Sequence, residues 1–243
     1  MDFAQHFGDV IWHLGLHRVR TIVHVGAHCA QELAGYQAVG PEWVIWIEAD
    51  PRMFARLQQL VEENARDGVH HVCINALVAE KDGEVRDFFV AENDGESSSM
   101  LRPTEFGASL GAGLTGEVLS LESRRLDSIL RSLGMDADGP NGVDVLALDV
   151  QGAELLCLQG AGDFLRSVKL LFLEVTKVAV DGQRLGDRAI YQGGVEFEAL
   201  DQWLRARGFV RRSHVPDRAW HGDCIYQNMG AEGWSRGGGR VVF

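Results

Sequence analysis

Three features of the sequence predict an α/β fold, with a mostly parallel sheet, helices on both faces and an antiparallel last strand. Short apolar, β-branched runs alternate with stretches of helical periodicity, which is the signature of βαβ units. Those runs end on small or acidic residues, namely Gly26-Ala27, Glu48, Asp149 and Glu174. The 243 residues, 46% apolar and 24% charged, also have the size and balance of one ordinary folded domain.

Taken in order, residues 1–20 read as an N-terminal helical extension, without the uninterrupted apolar stretch of a secretory leader. Thr21 to Val25 is a short strand closing on the Gly26-Ala27 turn, and Gln31 to Val39 a helix. Trp43 to Ile47 is the second strand, ending at Glu48, and Pro51 suits the first turn of a helix carrying Met53, Leu57, Leu60 and Val61 at helical spacing. Val69 to Ile74 is the third strand, and Val85 to Val90 a further one after the turn at Lys81-Asp82-Gly83.

Residues 93–116, with Ser97-Ser98-Ser99 and five glycines, form a long polar segment expected to be a mobile loop. A strand at Val118 to Leu121 and a helix at Leu126 to Leu133 follow. Then come a strand at Val143 to Leu148 ending at Asp149, a helix from Ala153, and a strand at Val168 to Leu173 ending at Glu174. A loop from Val180 to Gly194, a helix from Phe197 to Arg207 and strands at Phe209 to Ser213 and Asp223 to Gln227 close one domain spanning 1–243; residues 229–243 read as a flexible tail.

Composition narrows the partners. A formal net charge of −12, with no Lys/Arg run longer than two residues, argues against a nucleic-acid partner, whose backbone is bound by neutralising phosphates. No segment reaches the length of a membrane span. Cys29, Cys73, Cys157 and Cys224 form no paired motif, so neither a disulfide framework nor a zinc site is indicated. The expected protein is cytoplasmic and acts on a small molecule.

In an open α/β sheet, ligands bind beyond the carboxyl ends of the strands. The Gly26 turn and Glu48 lie 22 residues apart, close to the spacing at which a small-residue turn and a ribose-binding acid work together. That pair admits a dinucleotide equally well. The turn reads Gly26-Ala27-His28-Cys29-Ala30, however, and lacks the later glycines that bring backbone against a pyrophosphate. S-adenosylmethionine has no phosphate, so a looser turn suffices for it.

The run IVHVGAHCAQELAGYQAVGPEWVIWIEADP resembles the opening of the FkbM-type methyltransferases, in which D-V-G-A-N/H, Y-x-x-x-G and E-x-x-P occur in this order. The resemblance continues through NALVAEKDGEVRDFFVAENDGESSSML, RRLDSIL, LLFLEV, LRARGF and HGDCIYQN. VDVLALDVQGAELLCLQGA is similar to the family's D-V-E/Q-G-A-E-x-x-x-L-x-G signature, and together these cover roughly Thr21 to Asn228. It implies a Rossmann-like class I methyltransferase, S-adenosylmethionine as donor with S-adenosylhomocysteine as product, and transfer to a hydroxyl oxygen of a small molecule, a saccharide or a natural-product precursor. Two positions depart from the pattern: His24 stands where the family usually has Asp, and Ala30 where glycine is common.

The expected cofactor-binding set is His24, Gly26, Ala27, His28, Gln31, Glu48, Ala49, Asp50, Asn75, Ala76, Ser98, Asp149 and Gln151. Asp149 is the first candidate general base, because it ends the strand at which the acceptor and the reacting methyl would meet. His28 is the second, from its ordinary pKa near neutrality, and Glu174 the third. Asp149 can also cap the helix behind it, which is compatible with ligand contact, and Glu154 suits a ligand contact as well as a charge partner for that helix's first turn. Tyr191, His28 and His221 are candidates for acceptor contact. No metal is assigned. The contrasting readings are a non-catalytic methyltransferase-like binding module, favoured by His24 and Ala30, and a nicotinamide-dependent oxidoreductase, disfavoured by the missing glycines.

Overall fold

The computed structural model describes residues 3–137, 141–176, 179–180, 183–184, 189–213 and 221–231. The elements run α1 (Phe3–His13), β1 (Thr21–Val25), α2 (Leu33–Val39), β2 (Trp43–Glu48), α3 (Pro51–Asn64), β3 (His70–Asn75), β4 (Leu77–Val78), β5 (Val85–Ala91) and α4 (Glu105–Ser109). They continue with β6 (Leu114–Arg124), α5 (Leu126–Ser132), β7 (Val145–Leu148), α6 (Glu154–Gly160), β8 (Leu170–Thr176), β9 (Ala179–Val180), β10 (Gln183–Arg184), α7 (Phe197–Arg205), β11 (Phe209–Arg211) and β12 (His221–Asn228).

Seven strands make the central sheet, in the order β11-β12-β8-β7-β1-β2-β3. β1, β2, β3, β7 and β8 are parallel, while β12 lies antiparallel between β8 and β11. The last strand is thus antiparallel, as the sequence predicts. Along each central strand successive side chains point to opposite faces. Val23, Ile45, Leu146 and Leu171 enter one core with α5, α6 and α7, whereas Ile22, Val44, Val145 and Leu170 enter a second with α1, α2 and α3. Both faces are covered, which is why these runs are continuously apolar rather than alternating.

The N-terminal extension is part of that second core. Phe7 of α1 is fully buried, with its ring centroid 4.8 Å from that of Tyr36 and 5.1 Å from that of Phe172. Burial on this scale contributes roughly 1.5–3 kcal/mol.

Several boundaries differ from the sequence expectation for local reasons. α2 begins at Leu33 rather than Gln31, because the preceding turn holds His28 at φ 42° and Ala30 at φ 57°, outside helical space. Ala30 therefore sits in a left-handed conformation that glycine adopts without strain. β8 runs past Glu174 to Thr176, since β12 pairs with it up to Thr176↔His221. Glu174 is thus inside the strand and not at its end.

β6 extends from Leu114 to Arg124, well beyond Val118 to Leu121, and so takes in the last residues of the 93–116 segment. Its residues are mostly exposed and it is held by backbone pairing to β5, so hydrophobic patterning does not mark its ends. The rest of that segment consists of turns, isolated bridges from Ser99 to Phe89 and from Pro103 to Tyr191, and the short helix α4. The tail beyond residue 231 lies outside the described residues, as do 181–182 and 185–188 of the loop expected over Val180 to Gly194, within which β10 pairs antiparallel with β9.

Candidate active site

The chain crosses from one half of the sheet to the other between β1 and β7, and this switch point is where an α/β sheet opens a crevice. Gly26 makes it possible. It has φ +79°, and a Cβ there would lie 1.8 Å from the carbonyl oxygen of Asp149. Only glycine lets the turn after β1 pass the end of β7 at this distance. Its N–H donates to Ile47 O at 2.9 Å, tying the turn to β2 as well.

Above these strand ends is a cavity of about 440 Å³, within the range of roughly 300–1,000 Å³ usual for small-molecule sites. His24, Gly26, His28, Gln31, Glu48, Ala49, Ala76, Ser98, Asp149 and Gln151 all line it. Three further expected residues stand behind its wall. Ala27 is buried, with its N–H bound to Ile47 O at 3.1 Å. Asp50 caps α3 by accepting from Arg52 N at 2.8 Å and is ion-paired to the same arginine. Asn75 donates its amide to the carbonyl of Glu48 at 2.8 Å. Sequence reasoning missed Glu32 and the apolar wall of Leu77, Phe88, Met100 and Ile190, because these come from elements whose packing only the fold brings together.

Glu48 is buried, and its two carboxylate oxygens each accept one backbone N–H, from His28 and from Asp50, both at 2.8 Å. Burial raises its pKa, and the two backbone donors oppose that rise. The bonds fix the carboxylate against the cavity and leave each oxygen further acceptor capacity. His28 is also engaged through its ring, with Nδ1 3.0 Å from Gln31 Nε2 and Nε2 3.0 Å from the Asp94 carbonyl. The tautomer assigned from those contacts carries its proton on Nε2 and leaves no nitrogen free.

Opposite Glu48, Gln151 bridges two carboxylates. Its Nε2 donates to Asp149 Oδ1 at 2.6 Å and to Glu174 Oε2. The Tyr191 hydroxyl donates to Gln151 Oε1 at 2.7 Å, and Ser99 Oγ donates to the Gln151 carbonyl at 2.8 Å. The array holds Gln151 at φ 54°, a backbone strain that the contacts on both sides sustain. Asp149 lies at the end of β7 with protein packed closely behind it, and its side chain is exposed to solvent through the cavity, onto which its carboxylate opens. Burial, then the Glu174 charge, push its pKa well above the ordinary carboxylate value. Water in the cavity moderates the size of that rise and leaves its direction.

Glu154, at the start of α6, is not on the cavity wall. It is buried, and its Oε1 accepts from Gly152 N at 3.1 Å, which braces the loop carrying Gln151. Burial raises its pKa to about 7. The folded state thus holds a proton that the unfolded chain releases at lower pH, so stability falls as pH rises from the unfolded value toward 7. Between about pH 5 and pH 8, Glu154→Gln should gain about 2–3 kcal/mol relative to the parent chain. Urea unfolding at the two pH values measures this, and a pH-independent difference would contradict it.

Among the described residues, no group of three His, Cys, Asp or Glu side chains is arranged to hold a metal ion, and no helix is long and apolar enough to cross a membrane.

The fold and crevice are those of an open α/β domain with its site at the β1/β7 switch point. The Methyltransferase FkbM domain family matches residues 24–211, and the chain belongs to that family. None of the curated proteins matches it. Among solved structures it is similar to the methyltransferase FkbM from Methylobacillus flagellatus, at 18% identity and a TM-score of 0.47, over 86% of this chain and 43% of that one. This chain therefore spans less than half of that relative's length. It is also similar to a magnesium protoporphyrin IX methyltransferase from Synechocystis with bound SAH, at 9% identity and a TM-score of 0.48, over 93% and 81% of the two chains. A third similar structure is fibrillarin from Aeropyrum pernix with natively bound S-adenosyl-L-methionine, at 12% identity and a TM-score of 0.44, over 86% and 66%.

Proposed function

We propose that this methyltransferase-family chain uses S-adenosylmethionine to methylate a hydroxyl oxygen on a small molecule, a saccharide or a natural-product precursor. The observation that carries this reading is the cavity's pair of acidic walls. On one side is Glu48, positioned by two backbone N–H groups; on the other are Asp149 and Glu174, bridged by Gln151.

The residues fit the cofactor. Glu48 offers its remaining lone pairs to a ribose diol, the Gly26 turn closes the floor, and Ala49, Ala76 and Phe88 supply an apolar flank for a base. When bound, S-adenosylmethionine supplies an electrophilic methyl carbon. Asp149, with Glu174 behind Gln151, takes the proton of the acceptor hydroxyl as its oxygen attacks. Asp149 suits this task better than His28, whose ring nitrogens are both occupied. A carboxylate with a raised pKa is also the stronger base near neutral pH.

Glu48→Ala should lose about 1.5–3 kcal/mol of affinity for S-adenosylhomocysteine, as expected for hydrogen bonds to a charged group. Calorimetric titration tests it. An unchanged dissociation constant would remove Glu48 from the ribose site, and failure of the parent chain to bind the cofactor at all would remove the proposed function.

A further inference from the structure

Glu32 stands just before α2 and lines the cavity beside His24 and Gly26. Its side chain makes no cap hydrogen bond to α2. Oε2 is buried and has no hydrogen-bond partner. It lies 3.6 Å from Nδ1 of His24, beyond hydrogen-bond reach. That nitrogen already has a partner, the Tyr36 hydroxyl at 3.2 Å. The ring is packed against Trp46 and Tyr36, and burial lowers its pKa against the opposing pull of Glu32. A neutral imidazole supplies no positive charge, so His24 is not the counter-ion of Glu32.

A buried carboxylate oxygen without a donor is costly, and native structures rarely leave one so. Oε2 itself is enclosed, but 23% of the Glu32 side chain is exposed and the residue lines the cavity, so a ligand there that carries positive charge and N–H donors can reach the carboxylate and supply the missing partner by a small tilt of the side chain. Resting on the reading that this cavity takes S-adenosylmethionine, we propose that Glu32 binds the α-ammonium group at the amino-acid end of the cofactor. The ammonium has three N–H donors, whereas the sulfonium has none and could not hydrogen-bond the carboxylate. Glu32 is thus a specificity residue, selecting ligands that carry the amino-acid arm.

The test is calorimetric titration of the parent chain and of Glu32→Gln with three ligands: S-adenosylmethionine, S-adenosylhomocysteine and 5′-methylthioadenosine. The third keeps the nucleoside and thioether and lacks the amino-acid arm. Glu32→Gln should weaken the first two equally, by roughly tenfold or more, and leave the third unchanged. The melting temperature of the unliganded variant should match or exceed that of the parent, because an unpaired buried charge has been removed. Glu32→Asp, which keeps the charge on a shorter arm, should bind the first two with intermediate affinity.

Equal weakening of all three ligands, weakening of S-adenosylmethionine alone, or no weakening would each overturn the assignment while leaving the cofactor reading intact. A parent chain that binds none of the three overturns the cofactor reading and the assignment together.

Discussion

Gly26→Ala should destabilise the fold by roughly 3–5 kcal/mol, combining left-handed backbone strain with an unrelievable overlap. The added methyl would stand 1.8 Å from Asp149 O and 2.7 Å from Asp149 C, both backbone atoms held in place by the β1–β7 pairing. No rotamer change relieves such a contact, so the strands must part at the point where the cavity floor forms. Cofactor binding should disappear with it. Gly40→Ala is the control, because Gly40 also has a positive φ, +66°, but nothing lies within 4 Å of its added Cβ. It should cost only the backbone term, about 1–2 kcal/mol. Urea unfolding of both variants separates conformational strain from steric overlap. Equal midpoints for the two would show that the crossing yields, and would refute the claim that glycine is required there.

The same crossing shows what the sequence reveals and what it conceals. Thr21–Val25 and Trp43–Glu48 were legible because buried parallel strands are continuously apolar and end on turn or acidic residues. Glu48 and Asp149 were legible as cavity residues for the same positional reason. β6 was only half legible, since an exposed strand held by backbone pairing has no apolar signature.

Glu32 was illegible. An acid at the start of a helix ordinarily reads as a solvated charge or a dipole partner, and only the packing of His24 between Tyr36 and Trp46 removes its partner. The occupation of His28 by Gln31 and Asp94 was illegible too, because residue 94 reaches it from a distant segment. We propose that residues 93–116 are mobile without ligand; Asn93, Gly95, Ser97, Ser98 and Met100 are among the cavity-lining residues through which such motion would reshape the site.

Asp149→Asn should lower methyl transfer by about two orders of magnitude or more, the usual contribution of a positioned general base. The substitution nearly preserves shape. Asp149 Oδ1 accepts from Gln151 Nε2 at 2.6 Å, and an asparagine carbonyl at that position can accept the same bond, so the fold should survive. What is lost is the charge and the basicity. Burial and Glu174 raise the pKa of Asp149, so the pair shares a proton at low pH and becomes a competent base only as that proton leaves. In the parent chain the rate at saturating cofactor should therefore climb with pH through an apparent pKa above the ordinary carboxylate range, and in Asp149→Asn that limb should flatten. The raised pKa has the opposite sign for stability. The folded state binds the extra proton, so its stability declines over the pH range in which the rate rises, and Asp149→Asn should remove part of that decline. Single-turnover methyl transfer and thermal unfolding, followed across the same pH series, test both signs together. A folded variant with the parental rate and the parental pH limb would exclude Asp149 as the base and leave Glu174, across Gln151, as the carboxylate to replace next.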